Sequence, residues 1–247
     1  MNNAIRLQYL AAMGINVWLP RVVSAVEHAL PTAMTEPDIL MPTNPIEDEQ
    51  VHPTLANSND WDILKSEVQN CTLCGLCNSR TQTVFGTGNQ RADWLIIGEA
   101  PGEQEDKQGQ PFVGVAGQLL TEMLRAIGLS REEVFITNIL KCRPPNNRDP
   151  HVDEIKHCKD YLQRQQQLIK PKIILAVGRI AAQTLLETND PLAKLRGKVH
   201  TLNNTPMVVV YHPAYLLRSL PEKRKAWQDL QLAKQTVIAM ENKICVD

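Results

Sequence analysis

Four short apolar segments alternate with segments of helical periodicity, and this alternation limits the folds open to the chain. Each apolar segment lies between turn-forming residues, which is typical of a buried strand. Because strands that alternate with helices form a parallel sheet with helices on both faces, we predict an α/β fold, a three-layer α/β/α sandwich around a mostly parallel four-stranded sheet. The predicted strands are 94–97, 134–137, Ile173–Val177 and 207–211, and the predicted helices are 117–127, Val152–Ile169, Arg179–Leu186 and 222–241.

The first sixty residues differ from the rest of the chain. Residues 1–30 have the pattern of one or two amphipathic helices, and residues 31–60 contain five prolines and an acidic run, which is typical of a disordered linker. We therefore predict an N-terminal helical peptide (1–30), a linker (31–60) and a folded domain (61–247). Asp60 is the expected N-cap of the first helix of that domain.

The composition bounds the class of protein. No segment is long and apolar enough for a membrane span, and the chain starts without the basic and apolar regions of a secretory signal. Six cysteines in such a chain favour ligands or buried thiols over disulfides, so the expected compartment is the cytoplasm. The net charge of −1 does not indicate nucleic acid by itself, but basic clusters at 141–148, 194–198 and 218–225 are compatible with phosphate contacts.

The segment 98–114 follows the first predicted strand and holds four glycines and two prolines. It is predicted to be a long loop at the carboxyl end of that strand, where open α/β sheets bind ligands. Loops of this length inside compact domains are usually functional or disordered. Its glycines allow backbone amides to approach a small planar ligand closely. The acids Glu99, Glu105 and Asp106 and one aromatic residue, Phe112, lie in it.

The cysteines form a second pattern. Cys71, Cys74 and Cys77 are spaced as in a ferredoxin, and Cys142 and Cys158 follow the second predicted strand. Four thiolates can bind zinc or an iron–sulfur cluster, and the spacing alone does not separate the two.

Several short motifs occur together in one order. They are CTLC at 71–74, VFGTG at 84–88, GEAPG at 98–102, QPFVG at 110–114, TNILKCRPPNNR at 137–148, Cys158 and HPAYLL at 212–217. In these motifs the chain resembles the iron–sulfur uracil-DNA glycosylases, family 4, from about residue 61 to the last helix.

The resemblance implies a monofunctional hydrolase that removes uracil from DNA, leaves an abasic site and begins base-excision repair. The alternative is a non-catalytic or covalently trapping uracil-DNA binding protein of the same fold. The basic loop that carries the nucleophilic histidine of covalently trapping relatives is absent from residues 144–150, so trapping is not expected. An iron–sulfur electron carrier is a further competitor, but it would not need the pocket motifs.

The resemblance also assigns a [4Fe–4S] cluster to four of the cysteines. The implied ligands are Cys71, Cys74, Cys142 and Cys158, whereas Cys77 and Cys245 are spare. The expected role of the cluster is structural, because it ties the N-terminal part of the domain to the loop 141–150.

A glycosylase must flip its target base out of the DNA stack into a closely fitting pocket. Phe112 can stack on the base, Asn138 can pair with O4 and N3–H of uracil and so reject cytosine, and His212 can donate to O2 as negative charge develops there. The full set of predicted uracil contacts is Glu99, Ala100, Gly102, Phe112, Asn138 and His212.

The group that orients water is less defined by sequence. Superfamily relatives place an aspartate where this chain has Ala100, so that position cannot act as a general base here. The predicted catalytic residues are Glu99, His212, Asn147 and Glu105. The resemblance implies that Glu99 contacts the uracil and that Glu105 and Asn147 are candidates to orient water or the sugar, with Glu99 ranked above these two.

Residues after His212, together with two basic residues earlier in the chain, are expected to contact DNA. The segment Tyr215-Leu-Leu217 has the character of an apolar wedge that fills the gap left by a flipped base. The predicted DNA contacts are Arg148, Lys198, Leu216, Leu217 and Arg218.

The segment 9–21 lies outside the glycosylase pattern. It is similar to the N-terminal peptide of the bacterial clamp-loader psi subunit, which binds the chi subunit through a Leu-Gly-Ile-x-x-Trp segment. The resemblance implies the chi subunit as a partner, with packing on the parent domain as the alternative. Uracil-containing DNA is the expected substrate, no membrane contact is expected, and the protein is expected to be a monomer.

Overall fold

The computed structural model describes residues 58–244, which form a mixed sheet covered by helices on both faces. The predicted N-terminal peptide, nearly all of the predicted linker and Cys245 lie outside the described residues. The strands are β1 (Thr87–Gly88), β2 (Trp94–Gly98), β3 (Phe135–Asn138), β4 (Ile173–Val177), β5 (Val199–Leu202) and β6 (Thr205–Val210). The helices are α1 (Ser58–Gln69), α2 (Glu103–Gln108), α3 (Val115–Ala126), α4 (Val152–Ile169), α5 (Arg179–Leu186), α6 (Leu192–Leu195), α7 (Pro213–Arg218) and α8 (Lys223–Ile244).

The sheet has the strand order β1-β3-β2-β4-β6-β5. Its four central strands are parallel and correspond to the four predicted strands, so the α/β/α prediction is confirmed. The predicted count of four is wrong, because antiparallel strands β1 and β5 extend the two edges. β1 has only two residues, too few for a pattern. β5 joins β6 through Asn203-Asn204, both with positive φ, as a tight hairpin turn requires.

Each central strand contributes to two apolar layers. Leu95 and Ile97 of β2 pack into the layer beneath α1 and α4, whereas Trp94 and Ile96 pack into the layer beneath α3 and α8. All five residues of β4 are buried. A strand with helices on both faces reads as a continuous apolar run, which explains why these strands were visible in the sequence.

Two further predictions need correction. The first domain helix begins at Ser58, so Asp60 lies inside α1 and is not its N-cap. The segment 98–114 is not a continuous loop, because α2 lies within it. The acidic first turn of α2 favours a helix through its dipole, and Gly109, with a φ of 70°, ends it in the left-handed conformation.

Gly117 of α3 allows the preceding loop to approach the helix. A Cβ atom at this position would lie 1.8 Å from the carbonyl oxygen of Phe112, so no side chain fits without backbone movement. We expect Gly117→Ala to lower the free energy of unfolding by about 1–3 kcal/mol, the usual cost of overpacking. Urea titration measures this loss. Gly114→Ala is the matched control, because its nearest neighbour would lie at 3.5 Å. Equal midpoints for the two variants would contradict the close approach.

Candidate active site

A cleft of about 740 Å³ opens at the carboxyl ends of the parallel strands. This is the edge where open α/β sheets bind ligands, as the sequence predicted. The cleft brings together all eight residues predicted for base binding and catalysis, although they come from distant parts of the chain. They are Glu99, Ala100, Gly102, Glu105, Phe112, Asn138, Asn147 and His212, and Arg218 lies at the same cleft.

Asn138 forms the deepest polar point of the cleft. Its side chain is 1% exposed, and its Oδ1 atom has no hydrogen-bond partner among residues 58–244. A Cβ atom at Gly98 would lie 2.4 Å from this oxygen and 2.6 Å from the ring of Phe112, so the glycine keeps the space between amide and ring open. A buried acceptor without a partner costs about 1–3 kcal/mol, which indicates that a ligand satisfies it.

Phe112 and His212 present two rings to the same space. Their ring centroids are 5.7 Å apart, and the ring planes are inclined by 31°. Phe112 has a φ of 54°, a conformation that is uncommon for residues other than glycine and that clusters at functional sites. The surrounding fold therefore holds this aromatic side chain in a conformation the chain alone would not choose.

Glu105 supplies much of that restraint. Its Oε1 atom accepts hydrogen bonds from the backbone N–H groups of Val113 (2.9 Å) and Gly114 (3.0 Å). On the other side, Arg131 Nη2 donates to the carbonyl oxygen of Pro111 at 2.9 Å. Sequence reasoning missed Arg131, because it is distant in the chain and outside every motif. Glu105 lies at the cleft as predicted, but at least one of its oxygens holds the Phe112 loop.

Asn147 also lies at the cleft with part of its side chain engaged. Its Oδ1 atom accepts a hydrogen bond from Arg143 Nε at 2.8 Å, and its backbone is left-handed, with a φ of 53°. The orientation of water by Asn147 or Glu105 stays a prediction.

His212 is held neutral. Burial, aided by the nearby positive charge of Arg218 and opposed by Glu105, lowers the pKa of His212 to about 4. Its Nδ1 atom accepts a hydrogen bond from the backbone N–H of Ala214 at 3.2 Å, which assigns the ring proton to Nε2. The neutral ring can therefore donate to an acceptor in the cleft.

Glu99 is shifted in the opposite direction. Burial raises the pKa of Glu99 to about 7, and the negative charge of Asp149 adds to this effect. Arg179 opposes the shift, while it forms a salt bridge of 2.7 Å with Asp149 across the cleft. A carboxyl group with a pKa close to the working pH is suited to proton transfer and to the response to charge in a substrate.

The residues predicted to contact DNA differ in their exposure and in their distance from the cleft. Leu216 is 1% exposed and packs in the core, so its prediction as a DNA contact is wrong. Its neighbours Tyr215 and Leu217 are 38% and 41% exposed, and Leu220, which sequence reasoning missed, is 61% exposed. Lys198 is exposed but does not line the cleft.

Arg148 is engaged within the protein. Its two terminal nitrogens donate to the two carboxylate oxygens of Glu154 at 2.9 and 2.6 Å, and this pair holds the loop after Cys142 against α4. The arginine lowers the pKa of the Glu154 carboxyl group. A phosphate contact of Arg148 stays a prediction, but it would have to compete with this pair.

All five described cysteines line one small cavity, together with Arg80 and Lys141. None of the five forms a disulfide. Burial raises the pKa of the Cys142 thiol to about 11 although Arg80 Nη1 lies 3.1 Å from its sulfur, and burial likewise raises the pKa of Cys74 and Cys158. Burial lowers the pKa of Lys141 to about 7, against the effect of Cys158 and Cys142.

The five thiols line one cavity, and this donor set suits a thiolate-bound metal centre, whether zinc or an iron–sulfur cluster. Buried thiols with raised pKa become good ligands only when a strong positive charge enters the cavity, because thiolates need charge compensation there. Within residues 58–244, no group of three or more His, Cys, Asp or Glu side chains is placed to hold one metal ion.

Within the described residues no helix has the length and apolar character needed to cross a lipid bilayer.

Comparison with known proteins agrees with this geometry. The model of the uracil DNA glycosylase superfamily matches residues 85–231. A type-4 uracil-DNA glycosylase of Archaeoglobus fulgidus is 44% identical over 175 residues, which are 68% of this chain and 87% of the relative. Type-4 uracil-DNA glycosylases of Sulfurisphaera tokodaii and Thermotoga maritima are 45% and 40% identical, over 67% and 71% of this chain and 79% and 94% of the relatives.

The chain is an α/β/α enzyme of the uracil DNA glycosylase superfamily. This follows from the match of the superfamily model, and it agrees with the parallel sheet and with the cleft at its carboxyl edge. The relatives narrow this class, because they share 40% identity or more over most of their own length. The chain belongs to the type-4 uracil-DNA glycosylases, and the family predicted from the motifs is confirmed.

The raised pKa of Glu99 predicts a stability effect. Above pH 7 the folded protein carries a buried charge, whereas between about 4.5 and 7 the folded state binds a proton that the unfolded state does not. The cost is therefore present at high pH and disappears as the pH falls through this window. We expect Glu99→Gln to be more stable than the parent by about 1–3 kcal/mol at pH 8, with little difference at pH 4.5.

Urea unfolding at the two pH values measures this difference. Glu103→Gln is the control, because Lys107 lowers the pKa of the exposed Glu103 and its replacement should not stabilise the protein. A Glu99→Gln protein that is less stable than the parent at pH 8 would show that Glu99 is not in a desolvated site.

Proposed function

We propose that the cleft receives a uracil flipped out of DNA, and that the residues around Asn138 recognise it and assist its release. Family membership makes the chain a uracil-DNA glycosylase, a hydrolase that cleaves the bond between uracil N1 and deoxyribose C1′. The observation that carries the residue assignment is the unpartnered Oδ1 atom of Asn138 in the space beside Phe112.

Recognition follows from the hydrogen-bonding pattern of the base. Asn138 Oδ1 accepts the N3–H of uracil, and its Nδ2 donates to O4. Cytosine has an unprotonated N3 and an N4 amino group, so both contacts become unfavourable. A site built to pair with a polar edge rejects a base that leaves its buried groups unpaired, and Phe112 adds stacking that every base can share.

Bond cleavage is assisted from both sides of the base. As the C1′–N1 bond breaks, its electron pair moves to uracil, and the neutral His212 donates from Nε2 to O2 as this charge develops. Preorganised donors of this kind commonly contribute about 3–4 kcal/mol to the transition state. The ionised form of Glu99 stabilises the cationic sugar and orients the water whose oxygen bonds to C1′, and the released proton passes to the carboxylate or to solvent.

We propose that the cysteine cavity holds a [4Fe–4S] cluster bound by Cys71, Cys74, Cys142 and Cys158. The shared cavity supplies the thiol ligands, and membership of the type-4 family, which the motifs identified as iron–sulfur glycosylases, supports this choice over zinc. Cys77 lines the same cavity, but its thiol donates to Asn78 Oδ1 at 3.6 Å, which supports its role as a spare residue. Such a cluster would supply covalent links between the segment 71–80 and the loop after β3.

The first test addresses the base-reading assignment. Asn138→Ala should lower single-turnover excision of uracil by about 100-fold or more, the effect of removing a preorganised polar group. Phe112→Ala should cost about 1–3 kcal/mol of stacking. Asn138→Asp presents two acceptors and should admit cytosine at the expense of uracil. Release of uracil and alkali-labile strands are the readouts.

Asn89→Ala is the matched control, because Asn89 is exposed and does not line the cleft. Full uracil excision by Asn138→Ala would show that the uracil pocket lies elsewhere. Strands that stay intact after alkali with the parent protein would support a binding protein that does not cleave.

The second test addresses the cluster. Anaerobically purified protein should be brown and hold about four irons per chain, as four-thiolate clusters do. Cys142→Ala should lose iron and unfold at lower urea concentration, whereas Cys77→Ala should keep its colour. Zinc in place of iron in the parent protein would refute the assignment.

The third proposal concerns residues 1–60, and it is supported by sequence alone. We infer that the segment 9–21 binds the clamp-loader chi subunit and that residues 31–60 tether it to the domain 61–247. The glycosylase itself would be a monomer that acts in the cytoplasm at sites of replication.

Trp18→Ala and Ile15→Ala should then abolish capture of purified chi subunit and leave excision on free oligonucleotides unchanged. The exposed Trp227→Ala is the matched control and should keep both activities. Absence of chi binding by the intact chain would sink this idea, and so would loss of excision on deletion of residues 1–50.

A further inference from the structure

Lys141 is the largest fully buried side chain in the described part of the protein, with 1% of its surface exposed. Its Nζ atom donates three hydrogen bonds, to Thr137 Oγ1 at 2.7 Å, to the backbone oxygen of Asn138 at 2.8 Å and to Gln165 Oε1 at 2.7 Å. An ammonium group has three donors, so this shell satisfies it completely.

The shell of Lys141 belongs to a larger buried network. Thr137 Oγ1 and Gln165 Nε2 both approach the backbone oxygen of Phe85, at 3.0 and 2.8 Å. Gln165 is fully buried on α4, and Thr137 is fully buried on β3. The network therefore joins the strand end that carries Asn138 to α4 and to the segment before β1, so each member fixes the others.

A buried lysine is rare unless a negative group compensates it. The three hydrogen-bond acceptors of Lys141 are neutral, so none of them supplies a compensating negative charge. Lys141 also lines the cysteine cavity. Lys141 precedes Cys142 in the chain. One side chain thus contacts the base-reading residue and borders the cavity of the cysteines.

We propose that Lys141 is a positioning residue for base recognition, which holds the backbone of Asn138 and so fixes the amide that reads uracil. The proposal rests on the role of Asn138 given above. Lys141 lies within the motif at 137–148, but the sequence alone does not assign it this role, because a lysine in a basic cluster is usually interpreted as a surface charge.

The alternative is that Lys141 only stabilises the fold. A double-mutant cycle separates the two roles, because residues that act through one another have effects that do not add. Lys141→Met removes the ammonium and keeps a chain of similar length. Single-turnover excision of uracil is measured for Lys141→Met, Asn138→Ala and the double variant, on preparations matched for iron per chain.

We expect Lys141→Met to slow excision by about 10- to 100-fold, which is the usual effect of removing a residue that orients a functional side chain without contacting the substrate. In the Asn138→Ala background the same change should slow excision by less than ~3-fold, because the amide to be positioned is absent. The effect should fall on kcat more than on KM. Lys141→Met should also lose part of its discrimination between uracil and cytosine, which a loss of stability alone would not change.

Thr137→Val tests the same network if Lys141→Met does not fold. It removes one acceptor of the ammonium with little change in volume, and it should give a smaller loss that likewise disappears in the Asn138→Ala background. Leu162→Ala is the control, because Leu162 is a buried residue of α4 outside the network. It should lower stability and leave base discrimination unchanged.

Each outcome decides a separate point. Parent-like excision by folded Lys141→Met and Thr137→Val, or effects that multiply with that of Asn138→Ala, would overturn the positioning role. Parent-like excision by Asn138→Ala would instead overturn the proposed reading of uracil by this amide.

Discussion

The pairing of β2 with β3 at their carboxyl ends is the constraint on which the site depends. Gly98 lies opposite Asn138 in the register, and the pairing continues beyond the strands, where Ile139 N donates to Gly98 O at 2.9 Å and Leu140 N to Glu99 O at 3.0 Å. These bonds align the segment that carries Glu99 with the segment that leads to Cys142. A slip of one residue would move every side chain on β3 to the opposite face of the sheet. The position of Asn138 in the cleft and the position of Cys142 in the cysteine cavity therefore depend on the same strand register.

Burial shifts two ionisable groups of the cleft, Glu99 and His212, in opposite directions. The acid becomes weaker and the imidazole a weaker base, so near pH 6 both groups are largely neutral. Two neutral side chains suit a neutral pyrimidine in the ground state. Charge appears only as the glycosidic bond breaks, and the low polarity of the surroundings then strengthens the interactions of His212 with the leaving base.

The sequence predicted those parts of the fold that depend on periodicity. The bounds of β4, α4 and α5 agree with the structure, because these elements show an uninterrupted apolar run or a sustained helical repeat. The residues of the cleft were predicted from the family resemblance, and the parallel strands, which place their carboxyl ends at one edge, explain why these residues meet there. Leu216 could not be assigned in the same way. Neighbouring residues of a short helix such as α7 point in different directions, and only the packing shows that Leu216, unlike Leu217, faces the core.

The contacts that position the site were also beyond the sequence. No local sequence pattern favours the left-handed backbone of Phe112. The hydrogen bond from Arg131 to the Phe112 loop and the hydrogen bond of Lys141 to Gln165 join residues that are distant in the chain, and the bonds of Lys141 to Thr137 and Asn138 depend on its burial.

Two arginines near the cleft are paired with acids of the same protein. Arg148 is bound to Glu154 and Arg179 to Asp149, whereas Arg218, which lines the cleft, forms no ion pair within the described residues. A cation that already has an internal partner displaces few condensed ions from a phosphate backbone. Arg148 and Arg179 are therefore expected to add little to the salt dependence of DNA binding, which falls mainly to cations such as Arg218 that have no internal partner.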